Sequence, residues 1–238
     1  MKDILDMHTH TIASGHAYNT IREMALAAKA KGLEILGIAE HAPNMPGTCH
    51  PFYFYNLEVI DRSAYGIELF LGAELNILDE QGSIDLPEEL LSRIDYAIAS
   101  FHEMCCPPTN KEQNTKAMIN AMKNPYVNII GHPDNGNYEL DYEAIVLAAK
   151  KYNVLLEINN SSMRPTSNRP GALENNRRIL TLCQKHNASV ILDSDAHSEM
   201  GVGNHQYAWQ LIEELNFPQE LIVNDSREKL MRFLKKRG

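Results

Sequence analysis

Seven of the ten histidines in this chain stand where a short apolar run ends or in the loop just beyond it. His8 and His10 close the run ILDM, and His16 follows in the same loop. His41 closes IAEH, His102 closes IASFH, His132 closes IIGH and His197 closes ILDSDAH. Glu74 ends LFLGAE, and Asp195 stands two residues before His197. Imidazoles and carboxylates of this kind and number make a metal site, and their mixture suits zinc, manganese or iron rather than calcium or magnesium alone. The spacing of His8 and His10 puts both rings on one side of an extended strand while Met7 and Thr9 turn away. Glu74 offers two oxygens and a negative charge, which suits a bridge between cations. A single histidine after a strand is usually a loop residue, but independent loop histidines have no reason to choose the same end of strand after strand.

The elements that must position these residues follow from apolar periodicity. Strands are expected at Ile4–Met7, Leu33–Ala39, Ile67–Leu71, Ile94–Ala99, Val127–Ile130, Val154–Ile158 and Ser189–Leu192. Helical patterns run from Ile21 to a stop at Gly32, near Leu57–Ala64, over Lys111–Met122, Tyr142–Tyr152 and Ala172–Lys185, and near Gln206–Leu215 and Ser226–Lys235. Gln81-Gly82 reads as a hairpin turn. Strand–helix units recurring at intervals of roughly 30 residues imply a parallel sheet covered by helices. Seven such units predict a distorted (β/α)7 barrel, a single domain over residues 1–238, in which all strand ends open on one face.

The remaining polar residues carry weaker signals. His186 at a helix C-terminus, His205 near a helix start and His50 in the long second loop are read as ordinary structural or surface residues. Asn159, Asn160, Ser161 and Arg164 follow the sixth strand, and Arg164 and Arg169 are candidates to fork onto a phosphate, with surface loop arginines as the equal alternative. Cys105-Cys106 reads as a tight loop with buried thiols, and Lys235, Lys236 and Arg237 as a solvated basic helix end.

Composition bounds the partners. The chain has 238 residues, 44% hydrophobic and 22% charged, as expected of a globular protein with one large core. A net charge of −9 argues against nucleic acid and anionic membranes as partners. The start MKDILDMHTH has no signal-peptide apolar region, and no run approaches the ~18 residues of a membrane span. The four cysteines have no paired spacing, so reduced thiols and a cytoplasmic location are expected. No glycine-rich dinucleotide or P-loop motif is present.

The segments DMHTHTIASGH, AEH, GAELNI, ASFHE, GHPDN, EINNSS and DSDAH resemble those of the PHP (polymerase and histidinol phosphatase) family, in particular its stand-alone YcdX-type trinuclear-zinc phosphatases. The resemblance runs from about Asp6 to the final helix. It implies a distorted (β/α)7 barrel with three divalent transition metal ions, Zn2+ first and Mn2+ or Fe2+ as alternatives. The implied ligand sets are His8, His10, Glu74 and Asp195; His16, His41 and His197; and Glu74, His102 and His132. One departure is that the family's usual Thr-Asp-His is Ala39-Glu40-His41, which bears on how His41 is oriented. The activity implied is hydrolysis of a small phosphorylated molecule by metal-activated water, with no protein nucleophile. Three other readings stay open: a nuclease or phosphodiesterase of the same family, a C–N hydrolase on a related barrel, and a non-catalytic metal-binding protein. The C–N hydrolase typically needs a strand-end lysine that this chain lacks, and nine filled ligand positions argue against loss of catalysis.

Overall fold

The computed structural model describes residues 2–234. Lys235, Lys236 and Arg237 lie outside the described residues. Seven strands form one sheet in which every neighbour is parallel and consecutive: β1 (Leu5–Asp6), β2 (Ile35–His41), β3 (Glu68–Asn76), β4 (Ala97–Ser100), β5 (Val127–Ile130), β6 (Leu155–Asn159) and β7 (Val190–Asp193). The helices are α1 (Ile21–Ala30), α2 (Phe52–Tyr55), α3 (Glu88–Leu91), α4 (Lys111–Met122), α5 (Tyr142–Tyr152), α6 (Ala172–His186), α7 (Gln206–Glu214) and α8 (Arg227–Leu234). This is the distorted (β/α)7 barrel. Among the described residues no helix is long and apolar enough to cross a membrane.

The two faces of the strands build two cores. Leu5, Met7, Ile35, Phe70, Tyr96, Ile98, Ile129, Leu155 and Ile191 fill the barrel, with Leu230 and Leu234 of α8 packed beneath them. Leu36, Ile38, Leu69, Leu71, Ile130, Leu156 and Leu192 pack outward against the helices. Gly72 admits the Tyr96 ring, because a Cβ there would lie 2.5 Å from Tyr96 Cε1. The same two-residue pleat that sends Ile35, Ala39 and Phe70 inward carries His41 and Glu74 to the upper rim, where they pair in register.

Closure between β1 and β7 relies on side-chain and loop hydrogen bonds in place of an eighth strand, among them Met7 N to Asp193 Oδ1 at 2.6 Å. Below, the Asn224 side chain accepts from Leu192 N at 2.8 Å and donates to Leu192 O at 2.7 Å and Leu5 O at 3.3 Å. Above, His10 N donates to Ala196 O at 2.8 Å and Ala196 N to His8 O at 3.3 Å. The barrel is therefore sewn shut at its rim by the two segments richest in candidate ligands.

Four expectations are corrected. The third strand continues past Leu71 to Asn76, because Ala73–Asn76 pair with Ala97–Ser100 on β4, so Glu74 lies within the strand rather than at its end. The helix expected near Leu57–Ala64 is α2 followed by two 3-10 turns, separated where Ile60 is extended and Asp61 caps Ser63. Cys105 and Cys106 are half-buried, not buried. His205 is no ordinary surface residue; it is buried against Asp3 and Asp6. The turn at Gln81-Gly82 does close a short hairpin, with Ile77 bridging Ile84 and Gly82 at φ 77°.

Candidate metal centre

All nine candidate side chains meet at the upper rim around Glu74. Its Oε1 lies 2.9 Å from His132 Nε2 and 3.3 Å from His102 Nε2. Its Oε2 lies 3.4 Å from His8 Nε2 and 3.5 Å from His10 Nε2. Asp195 Oδ1 completes a second contact to each of these, 3.7 Å from His8 Nε2 and 3.4 Å from His10 Nε2. His16 Nε2 stands 3.3 Å from His41 Nε2 and 3.0 Å from His197 Nε2. His186 and His50 stay outside: His186 contacts Glu143 at 2.8 Å, and exposed His50 caps Phe52 N.

The ring orientations are set from behind. His8 Nδ1 lies 2.6 Å from Glu157 Oε1, His102 Nδ1 2.7 Å from Asn76 Oδ1 and His197 Nδ1 3.1 Å from Asp195 O. Each of those oxygens only accepts, so each Nδ1 carries the proton and each Nε2 offers a lone pair to the cluster. Burial, with the neighbouring rings of His41 and His197, holds His10 and His16 below the ordinary imidazole pKa, and burial lowers His197. Burial and Arg169 bring His132 down to about 4. Burial alone raises the Glu74 and Asp195 pKa values, but the rings of His102, His8 and His41 around Glu74, and His8 and Arg169 beside Asp195, outweigh it and hold both ionised. Burial alone lowers the His8 pKa, but Glu157, Glu74 and Asp195 outweigh it and raise it well above the ordinary value, so a cation would displace a proton there. The lowered rings of His10, His16, His132 and His197 and the ionised carboxylates already have the donor forms a cation requires.

The donor set fits a cation on a further observation. Among the described residues, His8 Nε2, His10 Nε2, His41 Nδ1 and Glu74 Oε2 are buried without a hydrogen-bond partner, at a cost of roughly 1–3 kcal/mol for each such group. His41 Nδ1 sits 2.7 Å from Glu74 Oε2 yet outside hydrogen-bond geometry. In the triad of His16, His41 and His197 a proton on one ring satisfies only one contact, whereas donors about 2.0 Å from a central ion would stand about 3.3 Å apart. The trios His8–His10–Glu74, His10–His41–His197 and His41–Glu74–His102 each bring their donor atoms within 4.8 Å of one another.

Beside the cluster, Tyr18, Ser161, Arg164, Arg169, Asp195 and His197 line a cavity of about 640 Å³. Arg169 Nη1 donates to Asp195 Oδ2 at 3.0 Å, Ser162 Oγ at 2.9 Å and Asn159 Oδ1 at 3.2 Å. Sequence reasoning missed Glu157, Asn76 and Ser14 as supports, and singled out Glu40 only as a departure from the family's Thr-Asp-His. Glu157 had a signal, an acid inside the apolar run VLLEI.

The PHP domain family matches residues 6–215. The chain belongs to that family. It is 45% identical over 238 residues to a probable phosphatase of Clostridium novyi, covering 100% of this chain and 97% of that one. It is 47% identical over 234 residues to a probable phosphatase of Caldicellulosiruptor bescii, covering 98% and 96%. A crystal structure of histidinol phosphate phosphatase from Lactococcus lactis, complexed with zinc, L-histidinol and phosphate, shares the fold with a TM-score of 0.62 at 20% identity, covering 91% of this chain and 95% of that chain.

Proposed function

We propose that this PHP-family phosphatase hydrolyses phosphomonoesters of a small molecule at a site of three divalent transition metal ions, Zn2+ first among them. His8, His10, Glu74 and Asp195 would hold one ion; His16, His41 and His197 a second; Glu74, His102 and His132 a third, with Glu74 as the shared carboxylate. The observation that carries the reading is the ring of Nε2 lone pairs and unpartnered carboxylate oxygen directed at one another, with their Nδ1 protons fixed behind them. Ions bound there would lower the pKa of water toward neutrality and offset charge on the phosphoryl oxygens. The residues of this chain supply the rest. Among the described residues Arg169 spends only Nη1 on protein partners, which leaves Nε and Nη2 as its donors for a substrate phosphate, and Arg164 lines the same cavity. The cavity suits a leaving group of small-molecule size. Clustered rim imidazoles supply the ligand chemistry, so no serine or cysteine nucleophile is invoked. The likeness of its rim segments to those of the trinuclear YcdX-type branch supports this reading, and four free thiols suit a cytoplasmic location.

The test is hydrolysis of p-nitrophenyl phosphate alongside elemental analysis. Two to three transition ions per chain are expected, with activity that vanishes on chelation and returns with Zn2+ or Mn2+. Full activity after chelation, or less than one ion after reloading, would sink the reading. Cleavage of amides or of phosphodiesters without monoesterase activity would favour the other hydrolases.

A further inference from the structure

His10 differs from its neighbour His8 in what stands behind its ring. His8 Nδ1 meets a carboxylate directly, at Glu157. His10 Nδ1 lies 3.1 Å from Ser14 Oγ, and Ser14 Oγ lies 2.5 Å from Glu40 Oε2. Glu40 is 1% exposed and all its neighbours donate to it. Oε2 also accepts from Thr11 N at 3.1 Å, and Oε1 accepts from the hydroxyls of Thr11 and Tyr53.

The proton directions follow from what each group can do. A carboxylate only accepts, so Ser14 gives its single proton to Glu40. The Ser14 oxygen is then left to accept, and it faces two candidates: His10 Nδ1 and the backbone N–H of His41, 3.0 Å away. The His10 proton is thereby fixed on Nδ1, and its Nε2 lone pair points between Glu74 Oε2 and Asp195 Oδ1. The local chain is built for this. Ser14 ends a 3-10 turn, Ile12–Ser14, capped at its start by the Thr11 hydroxyl and at its end by Gly15 in the left-handed region at φ 82°. A Cβ on Gly15 would lie 2.0 Å from Gly47 O, so the turn is pressed against the loop that follows β2. The β2 pleat that turns His41 into the barrel turns Glu40 to the other side, against this turn.

We propose that Glu40 is a positioning residue that acts through Ser14, holding His10 in the tautomer that offers Nε2 and tying the His41 backbone to the same hydroxyl. The proposal rests on the reading of His10 as a metal ligand. It gives the Ala39-Glu40-His41 sequence a role: the longer carboxylate reaches Ser14 and Thr11 together.

The test uses the full chain with Ser14→Ala, Glu40→Ala and Glu40→Gln. In the metal-free protein, long-range ¹H–¹⁵N spectra of the histidine rings report the His10 tautomer. Titration with Zn2+ against a chromophoric chelator reports affinity. Wild-type His10 should carry its proton on Nδ1. Ser14→Ala and Glu40→Ala should lose that single tautomer and weaken Zn2+ binding about 10–100-fold, the range for removing a group that orients a ligating histidine. Glu40→Gln keeps an oxygen for the Ser14 proton, so it should hold the wild-type tautomer and come within about threefold of wild-type affinity. If Glu40→Gln binds as weakly as Glu40→Ala, the charge of Glu40 acts rather than the relay, and the proposal is overturned. If Ser14→Ala keeps the wild-type tautomer and affinity, it is overturned as well. Should Glu40→Ala not fold, Ser14→Ala and Glu40→Gln decide the matter between them. A wild-type protein that takes up no Zn2+ would defeat the metal reading, while the tautomer spectra would still decide the relay.

Discussion

His205 carries a buried charge away from the metal centre, and its removal is a quantitative test of how the rim is held. The residue is 2% exposed at the start of α7, with Nδ1 2.7 Å from Asp3 Oδ2 and Nε2 3.6 Å from Asp6 Oδ1. Burial alone lowers its pKa, but Asp3 and Asp6 outweigh burial and raise it to about 10. Against an unfolded value of about 6.5, that difference corresponds to about 5 kcal/mol of stability. The folded value is the higher one, so the contribution is complete below pH 6.5. It is lost as pH rises from 6.5 towards 10, by about 1.4 kcal/mol per unit midway. Two other charged groups face the pair. Asp193 on β7 is pushed well above the usual carboxylate range by burial, Glu157 and Asp6. Lys31, beyond the end of α1, has its pKa lowered by burial and raised in part by Asp6. Asp6 in turn accepts from Ser194 Oγ at 2.5 Å and Gly203 N at 2.7 Å, clamping both ends of the loop that carries Asp195 and His197. Urea unfolding of wild type and His205→Ala, both in chelator, should differ by about 3–5 kcal/mol at pH 6.5 because the variant strands a buried carboxylate. The gap should narrow steadily by pH 9.5, and His205→Gln should behave likewise if the alanine variant does not fold. A gap below about 1 kcal/mol, or one independent of pH, would refute the charged pair.

Three further outcomes follow from the site. Glu74→Gln leaves five ring nitrogens, all within 3.5 Å of the present carboxylate, with one good acceptor and no charge; elemental analysis should show more than one ion lost and turnover should fall about a thousandfold, the effect of some 4 kcal/mol. A full metal complement at wild-type rate would show that Glu74 is not shared. Arg169→Ala should cut kcat/KM for p-nitrophenyl phosphate about 10–100-fold, as expected for losing charge-assisted hydrogen bonds, and an unchanged value would remove Arg169 from the substrate. His186→Ala loses only a partly exposed contact to Glu143, so metal content and rate should hold and stability change by under about 1 kcal/mol; a lost ion would contradict its placement.

Much of the barrel was legible because each strand–helix unit buries its own apolar periodicity, and that is local information. The misreadings arise where a tertiary partner decides. β3 runs past Leu71 because β4 waits alongside it, and Gly72 within it makes room for Tyr96. The turns after α2 break a helical pattern because Asp61 satisfies Ser63 locally. The nine rim residues could be found because ligand types recurring at strand ends leave a mark on the sequence. Their supports leave a fainter one. Ser14 and Glu40 lie 26 residues apart and meet only when the turn after β1 folds against β2. Asp6 and Asp193 are acids at strand positions otherwise occupied by apolar residues, which marks them as unusual without revealing their partners. His205 looked ordinary because its partners stand some 200 residues earlier in the chain.

The site and the closing of the barrel are one structural problem. A seven-stranded sheet leaves β1 and β7 without continuous pairing, and Asn224 supplies the missing hydrogen bonds below. At the rim further bonds join the His8–His10 and Asp195–His197 segments. Those segments could relieve the crowding of unpartnered donors only by moving apart, and moving apart would break the bonds that close the rim. Asp6 and Asn159 oppose that separation from below and from the side, Asp6 through Ser194 and Gly203, and Asn159 through its 3.2 Å bond to Asp195 Oδ2. The scaffold therefore holds lone pairs at distances they would not choose alone, and a bound cation turns that opposition into attraction. Preorganisation of this kind shifts the cost of assembling the ligands into the folding of the barrel, where the buried apolar strands already supply the stability.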